Sequence, residues 1–478
     1  MKKNKNSNKK IANHPITYIL LLLSCLLLSI ITQSCNKQNE WLDIKPNKSD
    51  VTPSTIENYQ ALLDASDGPL NSSTPGIGLV GMDNYYITSA TYNAAGTFAE
   101  RNGHIWAADI WQGANASDWN DMYAAIAVTN IVLDGIKSIP RTTNNASAFD
   151  NVQGSAYFHR AFCYYQLAQL FMKPYDPATA NSDPGLPLRI NSDINSIVQR
   201  SSVSDTYDQM TNDLQAAESL VPDRPVYQTR PSKQAVYGLL AKIYLHKGNY
   251  TLAALNANKS LLISEKLVDF NTLSTSATKP MPVFPTHPEI FFYTTATNYG
   301  ILSPSSSRCI VDSELIKSYA ANDLRKTLFF TTPNATGQSF FKGQYSGSNS
   351  AFSGLANNEM LLIFAESQAR LQQVTEAMAT LNKLLIKRWK TGTFVSLTAT
   401  SAQDALKKIV DEKRKELPFT GSNRWEELRR LNREPVFAKT LIRNVNNLSY
   451  QLAPNDIRYT LPIPDQEIRL TGMVQNPR

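Results

Sequence analysis

Two stretches of this 478-residue chain align with each other without a gap, and this internal repeat constrains the fold more than any other feature. The first, "YGLLAKIYLHKGNYTLAALNANKSLL", begins at Tyr237, and the second, "LLIFAESQARLQQVTEAMATLNKLL", begins at Leu361. Alanines recur at matching places, at Ala241 and Ala253 in the first stretch and at Ala365 and Ala377 in the second. Small residues on facing helices allow close antiparallel packing. The repeat therefore predicts helical hairpins.

The two stretches follow the tetratricopeptide pattern of large, small and turn residues. The matching positions are Tyr237, Leu240, Ala241, Tyr244, Gly248, Tyr250, Ala253 and Ala257, and then Leu361, Phe364, Ala365, Ala377 and Leu381. A third first helix, "GSAYFHRAFCYYQLAQLF", has the same spacing, but its partner "SVSDTYDQMTNDLQAAESL" is delayed by an insertion near residues 172–203. We predict an all-α fold of tetratricopeptide-like hairpins with a large irregular, loop-rich region.

The hairpins alternate with stretches that are rich in Pro, Ser, Thr, Gly and aromatic residues and have little helical period. We predict one domain over residues 51–478, with the helical repeats mainly at 117–264 and 355–434. The predicted irregular regions are 66–116, 265–354 and 435–478.

The first 34 residues have the composition of an export signal. They contain five lysines and no Asp or Glu, followed by an apolar run from Ile16 to Ile31 that is too short to span a membrane comfortably. Without these lysines the formal charge falls from +7 to +2. A nearly neutral chain lacks the field that neutralises phosphates, so we exclude nucleic acid as a partner.

The apolar run ends at "TQSC", where Cys35 follows the small residue Ser34 and precedes a polar segment. This arrangement resembles the acylated cysteine of a bacterial lipoprotein. Thr32 stands where most such sites have Leu, whereas Cys25 in "LLSC" fits that pattern better but leaves a very short apolar run. We predict lipidation at Cys35, a signal peptide over 1–34 and a polar tether over 35–50; an ordinary secretory signal is the alternative.

The chain shows no sequence pattern of a catalytic or metal centre. It has no Gly-x-Ser-x-Gly, His-Glu-x-x-His, Walker or Gly-x-Gly-x-x-Gly motif. Cys163 and Cys309 form neither a zinc motif nor a disulfide framework, and whether they pair stays open. We predict no metal, no cofactor and no enzymatic activity. A hydrolase whose carboxylates lie far apart in sequence stays as an alternative.

The stretch "DEKRKELPFTGSNRWEELRRLN", residues 411–432, mixes charges of both signs around an apolar stripe that includes Trp425. Its spacing predicts i,i+4 pairs on solvated helical faces, which are Lys408 with Glu412, Asp411 with Lys415 and Glu426 with Arg430. Asn423 and Glu426 fit a capping box at the start of its second helix. We predict a structural role for this stretch.

The same stretch resembles the late helical segment of the SusD/RagB family of Bacteroidota surface lipoproteins. Other segments follow in that family's order: "GSAYFHRAFCYYQLAQLFMKPY", "DPGLPL", "SVSDTYDQMTNDLQAAESLVP", "PSKQAVYGLLAKIYLHKGNY", "NEMLLIFAESQARL" and "YTLPIPDQEIRLTGMVQNP". The resemblance runs from about Cys35 to the C-terminus. It implies a lipid-anchored protein on the exterior of the outer membrane that hands a nutrient, most often an oligosaccharide, to a SusC-like TonB-dependent transporter.

The loop "DNYYITSATYNAAGTFAERNGHIWAADIWQGANASDW" concentrates rings beside amides, and flat rings can stack on a sugar while amides bond its hydroxyls. From this chemistry we predict ligand contacts by Asp83, Tyr85, Tyr86, Trp106, Trp111 and Asn115, and by Tyr299 in a second aromatic loop. The rival function is a surface scaffold that binds peptides or proteins through the helical repeats.

Overall fold

The computed structural model describes residues 53–65, 68–303 and 308–478. The predicted signal peptide, the lipidation site Cys35 and the tether lie outside the described residues. Residues Ser54–Arg478 form one unit. The helices of the described chain are α1 (Ile56–Asp64), α2 (Pro69–Ser72), α3 (Ile77–Gly81), α4 (Ser89–Asn93), α5 (Phe98–His104), α6 (Ser117–Gly135), α7 (Ala146–Phe171), α8 (Val203–Glu218), α9 (Lys233–His246), α10 (Tyr250–Ile263), α11 (Ser313–Lys317), α12 (Arg325–Phe329), α13 (Asn357–Arg370), α14 (Val374–Leu385), α15 (Ala402–Glu416), α16 (Asn423–Leu431) and α17 (Asp465–Thr471).

The strands of the described chain are short and form four antiparallel pairs, β1 with β5, β2 with β3, β4 with β6 and β7 with β8. Their bounds are β1 (Tyr85–Tyr86), β2 (Pro184–Pro187), β3 (Arg200–Ser202), β4 (Ile290–Phe292), β5 (Ile310–Val311), β6 (Leu355–Ala356), β7 (Leu441–Val445) and β8 (Leu448–Leu452). The fold is therefore helical with small strand pairs, and the predicted fold class is confirmed.

The predicted hairpins form the scaffold. Helix α9 packs on α10 and α13 packs on α14, while α10 also packs on α13 so that the two repeats stack. The four alanines that mark the repeat, Ala241, Ala253, Ala365 and Ala377, are completely buried. Because no larger side chain separates the helices at these positions, their backbones approach closely.

Both repeats turn with the same backbone geometry. Gly248 between α9 and α10 has φ +73°, and Gln372 between α13 and α14 has φ +65°. In each turn an amide N–H reaches back to a carbonyl at 2.9 Å, from Asn249 to Tyr244 and from Gln373 to Gln368. This is the Schellman pattern of a helix end. The repeat therefore extends to the turn, although only one copy has the glycine.

Helices α7 and α8 form the third pair, with the insertion between them holding β2 and β3. Arg160 on α7 and Asp213 on α8 join the two helices through two hydrogen bonds of 2.6 and 2.8 Å. Both side chains are buried, which makes the pair part of the core rather than of the surface.

The regions predicted to be irregular contain short helices and strands. Residues 66–116 include α2, α3, α4, α5 and β1, each five residues or shorter except α5. A second apolar core lies beneath these regions, and its members include Met82, Phe329, Phe341 and Phe352. Short elements can persist here because their apolar side chains meet in this core, not because any of them is a stable helix alone.

Residues 411–432 are structural, but their charges are paired inside the molecule rather than on solvated faces. Arg430 bonds Glu366 at 2.6 Å and Glu427 at 2.8 Å, and Lys413 bonds Glu427 at 2.9 Å. All four side chains are at most one-tenth exposed. This cluster fixes α16 against α13 and α15, since an unpaired charge at such a site would be costly.

The predicted local pairings in this stretch are wrong. Lys408 bonds Asp404, and Lys415 bonds Glu412. Asn423 does not cap α16. The residue before the helix is Ser422, whose side chain makes no capping bond, and the side-chain carbonyl of Asn423 accepts a hydrogen bond from Lys242 at 2.7 Å. Lys408 and Lys415 thus pair with other neighbours on α15 itself, whereas Glu426 lies beside Lys242 on α9 rather than pairing with Arg430.

Candidate functional site

Three of the predicted ligand-binding rings lie in the core. Tyr85, Trp106 and Trp111 are at most 3% exposed. Each also has an internal hydrogen-bond acceptor: the Tyr85 hydroxyl donates to the Val80 carbonyl at 2.7 Å, and the two indoles donate to the carbonyls of Gly81 at 2.9 Å and Pro462 at 3.0 Å. The expectation that these three rings are exposed is therefore wrong, because burial and internal bonds occupy them.

Asp83 and Tyr299 also serve internal contacts. The Asp83 carboxylate bonds Arg424 at 2.6 and 2.9 Å and Lys439 at 2.7 Å. Burial alone raises the pKa of Asp83, but Arg424 and its neighbouring cations outweigh burial and hold that pKa well below its usual range. Tyr299 is 8% exposed and its hydroxyl donates to Asp118, which joins the second aromatic loop to the start of α6.

Two predicted residues reach solvent. Tyr86 is 43% exposed, because it follows Tyr85 on strand β1 and successive side chains point to opposite faces. Asn115 is exposed, accepts a hydrogen bond from Asn120 at 2.5 Å and lines a cleft of about 370 Å³ against residues 464–467. The structure does not bring these two residues into contact with each other. Ligand binding by either stays a prediction.

A different surface combines one exposed ring and two partly buried rings with exposed amides. Helix α4 meets strand β7, and the side chains of Asn93 and Asn446 exchange two hydrogen bonds of 3.0 and 2.9 Å. The Asn446 backbone N–H also donates to the Ser89 hydroxyl at 2.8 Å. These contacts hold the tip of the β7–β8 hairpin beside α4 and leave both asparagines exposed.

The rings of this surface are Tyr92, Phe98 and Tyr450. Phe98 is 42% exposed and the Arg101 guanidinium lies 5.2 Å from its ring centre. Tyr92 is partly buried, and its pKa is raised by burial first and by Tyr450 second, while Arg101 opposes the shift. Tyr92 neighbours Asn93 on α4, and Tyr450 lies on β8, the second strand of the hairpin whose turn holds Asn446. We call Tyr92, Asn93, Phe98, Arg101, Asn446 and Tyr450 the ring-and-amide surface.

Local sequence explains how these elements are held. Thr97 and Glu100 form a capping box at the start of α5, with bonds of 3.0 and 3.2 Å. Asn446 and Asn447 turn the β7–β8 hairpin with φ of 53° and 61°, which is the backbone of a type I′ turn. Beneath the hairpin, buried Arg443 donates to the carbonyls of Tyr85 and Met82. These bonds attach β7 to the segment that carries Tyr86.

Sequence reasoning missed the half of this surface that comes from the C-terminal region. Residues 435–478 were predicted as irregular, yet "LIRNV-NN-LSYQL" contains a hairpin signal, because two residues that tolerate positive φ separate two alternating stretches. Leu441, Arg443 and Val445 are buried while Ile442 and Asn444 are exposed. The contact between α4 and the hairpin spans some 350 residues and has no local signal.

The described part of the chain holds no cluster of His, Cys, Asp and Glu that could bind a metal ion. Within the same ranges, no helix is both long and apolar enough to cross a membrane. Cys163 and Cys309 are both free and buried, so they form no disulfide with each other.

Two family models match the chain. One, described as starch-binding and associating with the outer membrane, covers residues 40–245, and the other, described as the SusD family, covers residues 345–478. The chain belongs to the SusD/RagB family. The resemblance inferred from the order of its motifs is confirmed. The family description names a binding activity rather than a reaction.

Solved structures share this SusD fold over nearly the whole chain. A SusD superfamily protein from Bacteroides thetaiotaomicron VPI-5482 has a TM-score of 0.69 at 20% identity, covering 89% of this chain and 100% of that one. A SusD superfamily protein from Bacteroides fragilis has a TM-score of 0.70 at 18% identity, covering 88% and 99%. A SusD-like carbohydrate binding protein from Bacteroides vulgatus ATCC 8482 has a TM-score of 0.63 at 19% identity, covering 88% and 97%. At these identities the likeness establishes the fold.

A sequence relative of this SusD family chain is SusD-like protein P2 of Formosa agariphila. The two are 31% identical over 144 residues, which is 30% of this chain and 26% of that protein. The match therefore spans about a quarter of the relative's length.

Proposed function

We propose that this protein is a cell-surface lipoprotein that binds an oligosaccharide on the ring-and-amide surface and hands it to a SusC-like TonB-dependent transporter in the outer membrane. Membership of the SusD/RagB family supports nutrient binding in general. The relative named a carbohydrate binding protein supports the choice of ligand class.

The observation that carries this proposal is that α4, α5 and the β7–β8 hairpin bear exposed amides together with one exposed ring and two partly buried rings. Phe98 and Tyr92 offer faces on which a sugar can stack, because the C–H side of a sugar is apolar. Asn93 and Asn446 each have one amide hydrogen and one carbonyl lone pair left after their mutual bonds, and these can reach sugar hydroxyls. Tyr86 and Asn115 are the two sequence-derived residues that we retain as further contacts.

This surface suits capture and release rather than catalysis. The pKa of Tyr92 is raised, so its phenol stays protonated at neutral pH and can both donate and accept. Arg101 donates to the Ala95 carbonyl at 2.5 Å and lies against Phe98, which makes it a fixed cation and not a proton carrier. The bound sugar would thus leave chemically unchanged.

A glycan-array screen of residues 36–478, followed by calorimetric titration of the best ligand, tests the proposal. Tyr92→Ala and Phe98→Ala should each weaken binding by about 1 to 3 kcal/mol, as binding anchors do, with little change in melting temperature. Tyr227→Ala is the matched control, since Tyr227 is 60% exposed on the loop between α8 and α9. If both variants bind as the parent protein does, the ring-and-amide surface is not the site.

The transporter partner needs its own test. Solubilising outer membranes in mild detergent and purifying the lipidated protein should bring down a large barrel protein encoded beside its gene. Recovery of the protein alone, under conditions where a known complex survives, would argue against the partner while leaving sugar binding untouched.

A further inference from the structure

A cleft of about 560 Å³ lies among the irregular segments between α10 and α13. Its lining residues are polar and small: Thr275, Ser276, Ala277, Thr278, Lys279, Thr331, Thr332, Lys342, Ser348 and Asn349. The described residues that line it thus supply hydroxyls, one amide and two ammonium groups, and they include no carboxylate.

The absence of acidic groups distinguishes this cleft from three others of similar size. The cleft of about 860 Å³ beside α1 includes Glu57, Asp64 and Asp150. The cleft of about 450 Å³ beside the end of α7 includes Asp176, Asp183 and Asp456. The cleft at Asn115 includes Asp465 and Glu467. The first two of those clefts combine basic residues with carboxylates and the third has carboxylates alone, whereas here the lining contains two lysines and no carboxylate.

The lysines keep hydrogen-bonding capacity for a ligand. The Lys342 ammonium donates to the carbonyls of Thr275 at 2.7 Å and Ala277 at 3.1 Å, which uses two of its three N–H groups. Those acceptors are neutral and leave its charge unbalanced, and burial lowers the pKa of Lys342. Lys279 is exposed and forms no ion pair with the described residues.

The hydroxyl and amide groups fall into two sets. Ser348 and Thr331 already accept bonds from the backbone amides of Ser350 at 3.2 Å and Phe340 at 3.0 Å, and these bonds order the walls. Thr278, Thr332 and Asn349 have no hydrogen-bond partner among the described residues, and all three are exposed. Polar groups of the second set are therefore available to an incoming molecule.

We infer that this cleft, which we call the lysine cleft, binds an acidic carbohydrate, with Lys279 and Lys342 opposite its sulfate ester or carboxylate and the free hydroxyls opposite its ring hydroxyls. The carbohydrate class rests on the proposed function. The positive charge without acid, and the free donors and acceptors beside it, come from the lysine cleft itself.

The volume and the charge of the lysine cleft restrict the class of ligand that fits it. A volume of about 560 Å³ falls in the range of small-molecule sites, roughly 300 to 1,000 Å³, and far exceeds one inorganic anion. Two lysines are too few to follow a nucleic-acid backbone, which demands a longer row of cations. A sugar that carries an oxyanion can use both the two lysines and the free hydroxyl and amide groups of the lining.

Calorimetric titration of residues 36–478 tests this inference with three oligosaccharide probes of matched chain length. They are a dextran sulfate oligosaccharide, an oligogalacturonate and a neutral dextran oligosaccharide. At least one acidic probe should bind, more weakly as salt rises from 50 to 300 mM. Lys279→Gln should weaken that binding at least 10-fold. Lys390→Gln, which removes an equally exposed lysine after α14, should change it less than 2-fold. Which acidic probe binds distinguishes a sulfate from a carboxylate group.

A second variant guards against misfolding, because Lys342→Gln removes bonds that hold the 275–277 segment. Asn349→Leu breaks no internal bond and should weaken the acidic probe by several fold at an unchanged melting temperature. Equal binding by Lys279→Gln, Asn349→Leu and the parent overturns the inference, as does equally tight binding of polyglutamate.

The outcomes separate this inference from the proposed function. Tyr92→Ala and Phe98→Ala address the ring-and-amide surface, and they should not alter how the acidic probe responds to Lys279→Gln. Loss of acidic binding in Lys279→Gln alone supports the lysine cleft even if the ring-and-amide surface binds nothing.

Discussion

Gln372 has a backbone conformation that ordinary side chains adopt at a cost. Its φ of +65° matches that of Gly248 in the other repeat, and a left-handed conformation costs a non-glycine residue roughly 1 to 2 kcal/mol. The Gln372 side chain is exposed, so its removal costs few stabilising contacts. We expect Gln372→Gly to raise the free energy of unfolding by about 0.5 to 1 kcal/mol in urea titrations.

The reciprocal change in the first repeat is the control. Gly248→Ala should lower the free energy of unfolding by about 1 kcal/mol, because φ +73° strains a residue with a Cβ; the added Cβ itself would meet only the Tyr250 hydroxyl, at 3.9 Å. Changes of the same sign in both turns would show that the two turns are not equivalent.

Trp425 is a core residue of α16. Its indole is 2% exposed, lies 4.8 Å from the Tyr459 ring, and would contact any Cβ placed on Gly81 at 2.8 Å. Trp425→Ala should therefore destabilise the protein by about 3 to 5 kcal/mol, while sugar affinity of the folded fraction stays near that of the parent. Loss of binding at a normal melting temperature would instead assign Trp425 to the site.

The two neighbouring tyrosines of β1 differ in a way that the local sequence does not reveal. Tyr85 and Tyr86 are identical neighbours, yet one is 1% and the other 43% exposed. The strand that orients them pairs with β5, more than 220 residues further along the chain. Composition marked a ring-rich segment, but the partner strand that sorts its rings into buried and exposed ones could not be derived from that segment.

At the scale of elements, α16 depends on ions buried between helices. Glu426 accepts from the Tyr165 hydroxyl at 2.7 Å and lies 3.6 Å from Lys242. Burial alone raises the pKa of Glu426, but Lys242 and its other partners outweigh burial and lower it to about 2. The stability from this group is thus present above the pKa of the unfolded chain, about 4.3, and is lost as pH falls towards 2.

Glu426→Gln, which mimics the protonated acid, should lower the free energy of unfolding by about 3 kcal/mol at pH 7. The difference from the parent should shrink to about half that value at pH 3, as measured by urea unfolding at each pH. Glu57→Gln, on the exposed face of α1, should show no such trend. A constant difference for Glu426→Gln across this range would mean that Glu426 is not ionised in the folded protein.

The helical elements were predictable because their signals are periodic and local. The alanine spacing of α9, α10, α13 and α14 appears in the sequence and in the packing. The charge pairs of residues 411–432 were not predictable from spacing, since Arg430 donates hydrogen bonds to Glu366 on the distant helix α13 as well as to Glu427. A mixed-charge helix indicates pairing in general, but burial decides the partners.

For the whole molecule, the proposed surface location depends on Cys35, which lies outside the described residues. Cys35→Ala should move the protein from the detergent phase to the aqueous phase in detergent partitioning of cell extracts, because several acyl chains hold firmly where one is marginal. Cys25→Ala is the control and should stay in the detergent phase. The reverse result would assign lipidation to Cys25.

The proposed function requires ligand to bind where α4, α5 and the β7–β8 hairpin meet. Hydrogen–deuterium exchange of residues 36–478, with and without the sugar found by the array, tests it most directly. We expect ligand to slow exchange in two segments distant in sequence, residues 86–104 and 441–452, and to leave the α9–α10 hairpin unchanged. Protection confined to the helical repeats, with none in these two segments, would mean that ligand does not bind the ring-and-amide surface.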